Sequence, residues 1–117
     1  MDATELERLS AALVSQRAQA RREIEELGAD PDADEVVFVG DPGFSDRSHS
    51  TEERSRLIAL VGSHRANLRD VDAALARIDA GTYGICSRCG NPIPSERLEA
   101  LPWAALCIDC KHRGLSA

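Results

Sequence analysis

Cys86-Ser-Arg-Cys89 and Cys107-Ile-Asp-Cys110 lie in the last third of the chain, with seventeen residues between the two pairs. Two residues between thiolates allow a tight turn to direct both sulfurs at one ion, and zinc prefers four ligands at tetrahedral corners. The separation of the pairs also fits that of four-cysteine zinc sites. Because sulfur would occupy every corner, no position is left for water or substrate. We therefore expect one structural zinc ion, Zn2+, held by Cys86, Cys89, Cys107 and Cys110. A redox dithiol pair is the alternative, but such a motif belongs in a βαβ setting that the flanking sequence does not indicate.

The composition favours long helices over a large globular core. One Trp, one Tyr and two Phe are the aromatic residues among 117, and the formal net charge is −6. Small cores often need a metal to be stable, and an acidic chain is a poor general ligand for nucleic acid. The sequence contains no signal peptide and no apolar run of membrane-spanning length. Because the zinc pattern uses all four cysteines, nothing suggests secreted disulfides. The sequence thus indicates a cytoplasmic protein.

The first helical segment runs from Asp2 to about Gly28. Asp2 with Glu5, or Thr4 with Glu7, matches a capping box at its start, and Gly28 is a candidate C-cap. Its apolar residues recur at three- and four-residue steps, which predicts one buried face. The stripe consists of Leu6, Leu9, Leu13, Ala20, Ile24 and Leu27, and Gln16 interrupts it.

A second helix is predicted from about residue 50 to Ala80. Ser50-Thr-Glu-Glu53 forms a capping box, and Gly81 follows the last helical residue. We interpret His64 as a partly buried member of the apolar stripe, and expect Arg65 and Asn67 to face solvent. The stripe consists of Leu57, Leu60, Val61, His64, Leu68, Val71, Leu75 and Ile78.

Two helices with one apolar stripe each can bury those stripes on each other. We therefore predict a mainly α fold. Residues 1–80 form a long antiparallel two-helix coiled-coil hairpin, and residues 81–117 form a four-cysteine zinc-finger module at its base, with a C-terminal tail. Helices of thirty residues at about 1.5 Å per residue would carry the loop roughly 45 Å from that base. Within the module we expect a short helix over residues 94–101, capped by Ser95, with Leu98, Leu101 and Trp103 as a small core.

Residues 29–49 form an acidic loop between the helices. From Asp30 to Asp46 there are six acidic side chains and no basic one. The apolar run Val36–Val39 is too short for a helix. It is interpreted as a brief strand, a cap over the apolar end of the hairpin, or an exposed contact. A loop of about twenty residues is long for so small a protein, and such loops are often functional.

Residues 80–110 read Ala80-Gly-Thr-Tyr-Gly-Ile-Cys-Ser-Arg-Cys-Gly-Asn-Pro-Ile-Pro-Ser-Glu-Arg-Leu-Glu-Ala-Leu-Pro-Trp-Ala-Ala-Leu-Cys-Ile-Asp-Cys110. This stretch strongly resembles the zinc finger of the DksA/TraR proteins, and the Asp-Arg-Ser-x-x-x-Glu-Glu stretch at residues 46–53 is also typical of that family. The first helix matches in pattern only. The resemblance implies a non-enzymatic transcription regulator that binds RNA polymerase. The hairpin would enter the secondary channel, and the zinc base would contact the channel rim.

The resemblance also implies a functional tip. The family signature Asp-x-x-Asp-x-Ala precedes the second helix, and its second Asp falls on Asp46. Its first Asp falls on Gly43 and its Ala on Ser48, so Asp41 could supply the missing acid only if the loop bends differently. We identify Asp46, Asp41 and Ser48 as tip candidates that would lie near the polymerase active site. The alternative is that they are solvated loop residues.

Family members that respond to the alarmone guanosine tetraphosphate carry basic residues at three places. Here those places hold Asp70, Leu101 and Lys111. A carboxylate repels a multiply charged phosphate ligand. We therefore expect little dependence on guanosine tetraphosphate.

Other functions are also open. A protein-interaction adaptor with a different partner could use Val36–Val39 and Phe44 as an apolar anchor.

A DNA-binding protein would need more than the modest basic cluster of the module, and the acidic chain makes sequence-specific nucleic acid binding unexpected. An enzyme is least favoured, because no open metal site, nucleophile–base pair or phosphate-binding loop is present. We expect a monomer without membrane association. The basic cluster consists of Arg88, Arg97, Lys111, His112 and Arg113.

Overall fold

The structure is a computed structural model that describes residues 1–33, 35–38 and 50–113. These residues form helices and turns, with isolated β-bridges but no strand longer than a bridge. The mainly α prediction, with two long helices packed together, is therefore confirmed. The helices are α1 (Ala3–Glu26), α2 (Thr51–Ala80), α3 (Ser95–Ala100) and α4 (Ile108–His112).

The chain divides into two compact units. Unit 1 contains Met1–Arg17 and Asp70–Ala117, and unit 2 contains Ala18–Arg69. Both long helices contribute residues to both units. The division of the sequence into a hairpin over 1–80 and a finger over 81–117 stays a prediction.

The core of unit 1 joins the cysteine-rich region to the two long helices. Leu98 is fully buried, and Leu101 and Trp103 pack against the same cluster, as predicted. The cluster is wider than the sequence indicated, because Ala74 of α2 is also fully buried, a position too small to mark the stripe. Its other buried members are Leu9, Leu13, Val71, Tyr83, Cys86, Ile93, Ala104, Leu106 and Cys110.

Unit 2 has a smaller core between the remaining parts of α1 and α2. Ala20, Ile24, Ala29, Val61 and Leu68 form it. Leu60 was predicted to join this stripe, and that prediction is wrong, because its side chain is 44% exposed. Successive helical residues are about 100° apart, so burying Val61 turns Leu60 away from the seam.

Local chemistry sets the ends of the long helices. The Glu5 N–H donates to Asp2 Oδ1 at 2.7 Å, and the Glu53 N–H donates to Ser50 Oγ at 3.2 Å, so both predicted caps form. Gly28 ends α1 with φ of 84°, and the next N–H, that of Ala29, donates to the Ile24 carbonyl at 3.1 Å. This left-handed ending suits glycine.

The predicted cap of the short helix α3 is wrong. Ser95 is its first helical residue, and Pro94 is the N-cap without a side-chain hydrogen bond. The Pro94 carbonyl accepts the N–H groups of Arg97 and Leu98 at 3.0 and 3.2 Å. The Pro94 carbonyl thus binds the Arg97 N–H, one of the N-terminal groups that a side-chain cap would otherwise satisfy.

The apolar run that begins at Val36 caps the core of unit 2 and also forms a bridge. Phe38 pairs with Ala29 in an antiparallel bridge, and both Val36 and Phe38 pack against the unit 2 cluster. Val37 is 43% exposed. Val39, Phe44 and the tip candidates Asp41, Asp46 and Ser48 lie outside the described residues.

Polar residues along the seam of unit 2 are partly buried. His64 is half-buried, as predicted, and its Nδ1 lies 2.9 Å from Glu23 Oε2. Arg65 was expected to face solvent only, but it is half-buried and its guanidinium donates to the Ala33 carbonyl. Asn67 is likewise half-buried.

No helix within the described ranges is both long enough and apolar enough to cross a membrane.

Replacing Leu13 by Ala should destabilise the metal-loaded protein by about 2–5 kcal/mol, because a fully buried leucine leaves a cavity in unit 1. Val14 is 56% exposed on the same helix, so Val14→Ala should change the free energy of unfolding by less than about 0.5 kcal/mol. Denaturant unfolding followed by circular dichroism measures both. Equal losses in the two variants would contradict the buried position of Leu13.

Candidate metal centre

The four predicted cysteine ligands lie together in unit 1. Their Sγ atoms all fall within 4.8 Å of one another, and Cys89 Sγ lies 3.7 Å from Cys107 Sγ. Cys86 and Cys110 are buried, Cys107 is half-buried and Cys89 is exposed. Four sulfur donors at such distances form a donor set of the kind that zinc prefers. The cluster is therefore positioned to bind a metal ion.

A tight turn presents the first cysteine pair. The Cys86 N–H donates to the Asn91 carbonyl at 2.8 Å, and the Gly90 N–H donates to the Cys86 carbonyl at 2.9 Å. Gly90 has φ of 77°, in the left-handed region that favours glycine. Gly84 has φ of 85°, and a Cβ there would lie 3.0 Å from Met1 Cε. The sequence around the pair thus fits the turn on both sides.

The second cysteine pair is presented by the start of α4. Cys107 is the N-cap of this helix, and its carbonyl accepts the Lys111 N–H at 3.0 Å. Cys110 lies on the helix one turn later, so both sulfurs point to one side of a single turn. The Ser87 N–H donates to the Ala105 carbonyl at 2.8 Å, which ties the two pairs together.

The surroundings of two cysteines act in opposite directions on their pKa values. Backbone N–H groups, first that of Cys89 and then that of Cys107, lower the pKa of Cys86 to about 6. Burial is the main cause that raises the pKa of Cys110 to about 12, and hydrogen bonds from the neighbouring thiols add to it. Without a bound cation, the Cys110 thiol would keep its proton at neutral pH. A bound dication would remove that proton, because metal–thiolate bonding releases protons.

The arm between the two pairs is held by hydrogen bonds to its carbonyls. Tyr83 Oη donates to the Pro102 carbonyl at 2.9 Å, and Arg97 Nε donates to the Leu106 carbonyl at 2.9 Å. Burial raises the pKa of Tyr83 further above neutral, which keeps the phenol protonated as a donor. Arg8 of α1 pairs with Glu99 of α3 at 2.5 Å. These bonds fix the second cysteine pair relative to the first.

A groove of about 330 Å³ lies beside the arm. Asp70, Leu101 and Lys111, the three positions considered for alarmone binding, all line it. Arg97 and Trp103 also line it, and sequence reasoning did not place them there. The signal for Arg97 was its spacing, since it lies on α3 four residues before Leu101, and the Leu101 N–H donates to the Arg97 carbonyl at 2.7 Å.

Comparisons with known proteins agree with this geometry. Residues 81–113 match the family described as prokaryotic dksA/traR C4-type zinc finger. RNA polymerase-binding transcription factor DksA of Haemophilus influenzae is 40% identical over 78 residues, which cover 67% of this chain and 52% of that protein. The protein of the same name from Salmonella typhimurium is 32% identical over 111 residues, covering 95% of this chain and 72% of its own length.

A solved structure is similar over nearly the whole chain. Transcription factor DksA2 from Pseudomonas aeruginosa has a TM-score of 0.71 at 30% identity, and the match covers 97% of this chain and 85% of that one. The chain spans about half the length of several curated relatives that it matches.

Replacing Cys110 by Ser should abolish tight zinc binding, because a buried hydroxyl does not replace a thiolate ligand. Metal analysis after chelator-buffered dialysis measures the zinc content. The emission of Trp103, which packs against the unit 1 cluster, should shift to longer wavelength as the cluster loosens. Ser87→Ala changes an exposed side chain of the same module and should keep both properties. A Cys110→Ser protein with full zinc content would contradict the ligand set.

Proposed function

The chain belongs to the DksA/TraR family of C4 zinc finger proteins, and on that premise we propose that it is a non-enzymatic transcription regulator that binds RNA polymerase. The match to a polymerase-binding relative over 95% of this chain carries the proposal. The fold supports it, since the similar solved structure, that of a transcription factor, matches 97% of this chain at a TM-score of 0.71. The protein would act as a monomer in the cytoplasm, where transcription takes place.

We assign one structural zinc ion to Cys86, Cys89, Cys107 and Cys110. The buried positions of Cys86 and Cys110 within the unit 1 core support a structural role for the metal. With four sulfur ligands the ion would have no open position for substrate. Its contribution would be to hold the two cysteine turns together, so that unit 1 presents a fixed surface to the polymerase.

For the mechanism, we propose that the acidic end of the hairpin enters the polymerase secondary channel and modulates initiation. Two acids at the start of the loop are already engaged within unit 2. Asp30 Oδ1 accepts the Asp32 N–H at 2.9 Å, and the Asp32 carboxylate pairs with Arg21 at 2.7 Å. This supports assigning the functional acid to a later loop residue. We assign it to Asp46, with Asp41 and Ser48 as further tip residues.

Replacing Asp46 by Asn should leave zinc content and polymerase affinity unchanged but remove most of the effect on transcription. The amide keeps the size of the side chain and removes the charge that would act near the polymerase active site. Multi-round transcription from a responsive promoter, with the protein at saturating concentration, measures this. Glu35→Gln is the matched control, because Glu35 is an exposed acid of the same loop. If the Asn variant regulates as well as the parent, Asp46 is not the functional acid.

We further propose that regulation depends little on guanosine tetraphosphate. In the groove of unit 1, the Asp70 carboxylate offsets one of the two positive charges that Arg97 and Lys111 bring. Arg97 also commits its Nε to the Leu106 carbonyl. A ligand with several phosphates would meet a carboxylate at the groove wall, and removing its hydration there would be unfavourable.

Asp70→Lys should therefore increase the affinity of the protein–polymerase complex for guanosine tetraphosphate by about tenfold or more, which corresponds to about 1.4 kcal/mol. Calorimetry on the complex measures the change. Asp79→Lys makes the same charge change at an exposed position of α2 outside the groove, and should have a much smaller effect. Micromolar binding by the unmodified protein that is lost in Lys111→Ala would overturn this prediction.

The adaptor alternative has less support. In that alternative, Phe38 is part of the apolar anchor that would contact the partner protein. Its ring packs instead against the unit 2 core. In the described part of that run, Val37 is the exposed residue, at 43%. A single exposed valine offers little apolar area for a stable interface.

A further inference from the structure

The segment from Ala29 to Phe38 packs against the core of unit 2, and the undescribed residues 39–49 of the acidic loop follow it. We call residues 29–38, without residue 34, the strap. Its two ends pair with each other, because the Asp30 N–H donates to the Val37 carbonyl at 2.7 Å and Ala29 bridges Phe38. Ala29 is buried, and Phe38 packs against the same cluster. The ends of the strap are therefore held by apolar packing in the unit 2 core, which also contains residues of α1 and α2.

An arginine on α1 holds the middle of the strap. Arg21 Nη1 lies 2.7 Å from Asp32 Oδ1, and Arg21 Nη2 lies 3.1 Å from Asp32 Oδ2. This two-pronged geometry fixes the direction of the carboxylate as well as its distance. The Arg21 side chain is only 25% exposed, so its position is constrained by its surroundings.

A second arginine, on α2, holds the next residue of the strap. The Arg65 guanidinium donates to the backbone carbonyl of Ala33 and is partly buried there. A hydrogen bond to a carbonyl fixes the backbone itself. The strap is thus held from α1 and from α2 at adjacent residues, Asp32 and Ala33. Exposed ion pairs contribute little to global stability. We therefore expect these contacts to act locally, on the position of the strap.

We propose that Arg21 and Arg65 are positioning residues, which hold the strap on α1 and α2 and thereby fix the point from which the acidic loop continues. The inference rests on the proposed function, because the benefit of a fixed starting point is accurate delivery of Asp46. The two arginines would not touch the polymerase active site. They would act through the strap.

Amide hydrogen exchange on the zinc-loaded full chain tests the anchoring by itself. In Arg65→Ala, exchange of the Asp30 N–H should be about tenfold faster or more, since the strap opens more often when one anchor is lost. The amides of Cys86 and Ile93, which are bonded within unit 1, should be unchanged. Arg69→Ala, an exposed arginine one turn further along α2, is the control. Unchanged exchange at Asp30 in Arg65→Ala would overturn the anchoring.

The same comparison applies to the other anchor. Arg21→Ala should accelerate exchange at Asp30, whereas Arg22→Ala, at the exposed neighbouring position of α1, should not. Arg21→Lys should restore only part of the protection, because an ammonium group cannot make the two-pronged contact. Full protection in Arg21→Ala would remove Arg21 from the proposal.

Transcription assays test the consequence. At saturating protein, Arg65→Ala should reduce the maximal effect on transcription at least threefold, while polymerase affinity changes less than twofold. If Asp46→Asn loses the effect but Arg65→Ala retains it, the positioning role is overturned and the proposed function stands. If Asp46→Asn behaves as the parent, the tip mechanism fails and the positioning role fails with it, while the exchange data still decide whether the strap is anchored.

Discussion

Bringing four cysteine sulfurs within 4.8 Å of one another is the constraint on which unit 1 depends. Thiolates at that separation repel one another, and burial of Cys110 opposes its ionisation. A bound dication would convert this unfavourable arrangement into four metal–sulfur bonds, and much of the binding energy of a structural metal would then serve folding. The remaining elements of the module are the turns, glycines and carbonyl acceptors that make this approach possible. The metal centre and the fold of the module therefore depend on each other.

The cysteine cluster also belongs to the same apolar core as the two long helices. Cys86 and Cys110 lie in one cluster with Leu9 and Leu13 of α1 and Val71 of α2. A module of about thirty residues cannot bury enough apolar surface by itself, and it gains a core by sharing one with longer helices. This is why Leu98, Leu101 and Trp103 were correctly identified as packing residues, although the core that receives them is larger than the module.

Where sequence reasoning failed, the missing information was the identity of a neighbour distant in the chain. Leu60 fits the heptad-like spacing as well as Leu57, and only the orientation of α2 turns it to solvent. Arg65 carries a charge that predicts exposure, and its carbonyl partner on Ala33 comes from the returning strap. Ser95 has the right side chain for an N-cap, but Pro94 occupies the N-cap position of α3. Periodicity and propensity describe one element at a time, so they do not determine such pairings.

By itself, the sequence determined the features that local chemistry controls. The caps at Asp2 and Ser50, the glycine endings of the long helices and the spacing of the cysteine pairs each depend on a few consecutive residues. Tertiary structure alone decided which residues meet across the chain: Arg97 joins Asp70 and Lys111 at one groove, and Arg21 and Arg65 hold one strap. The physical reason is range. Capping and turn formation act within about one helical turn, whereas the placement of a guanidinium depends on how two helices and a returning segment pack together.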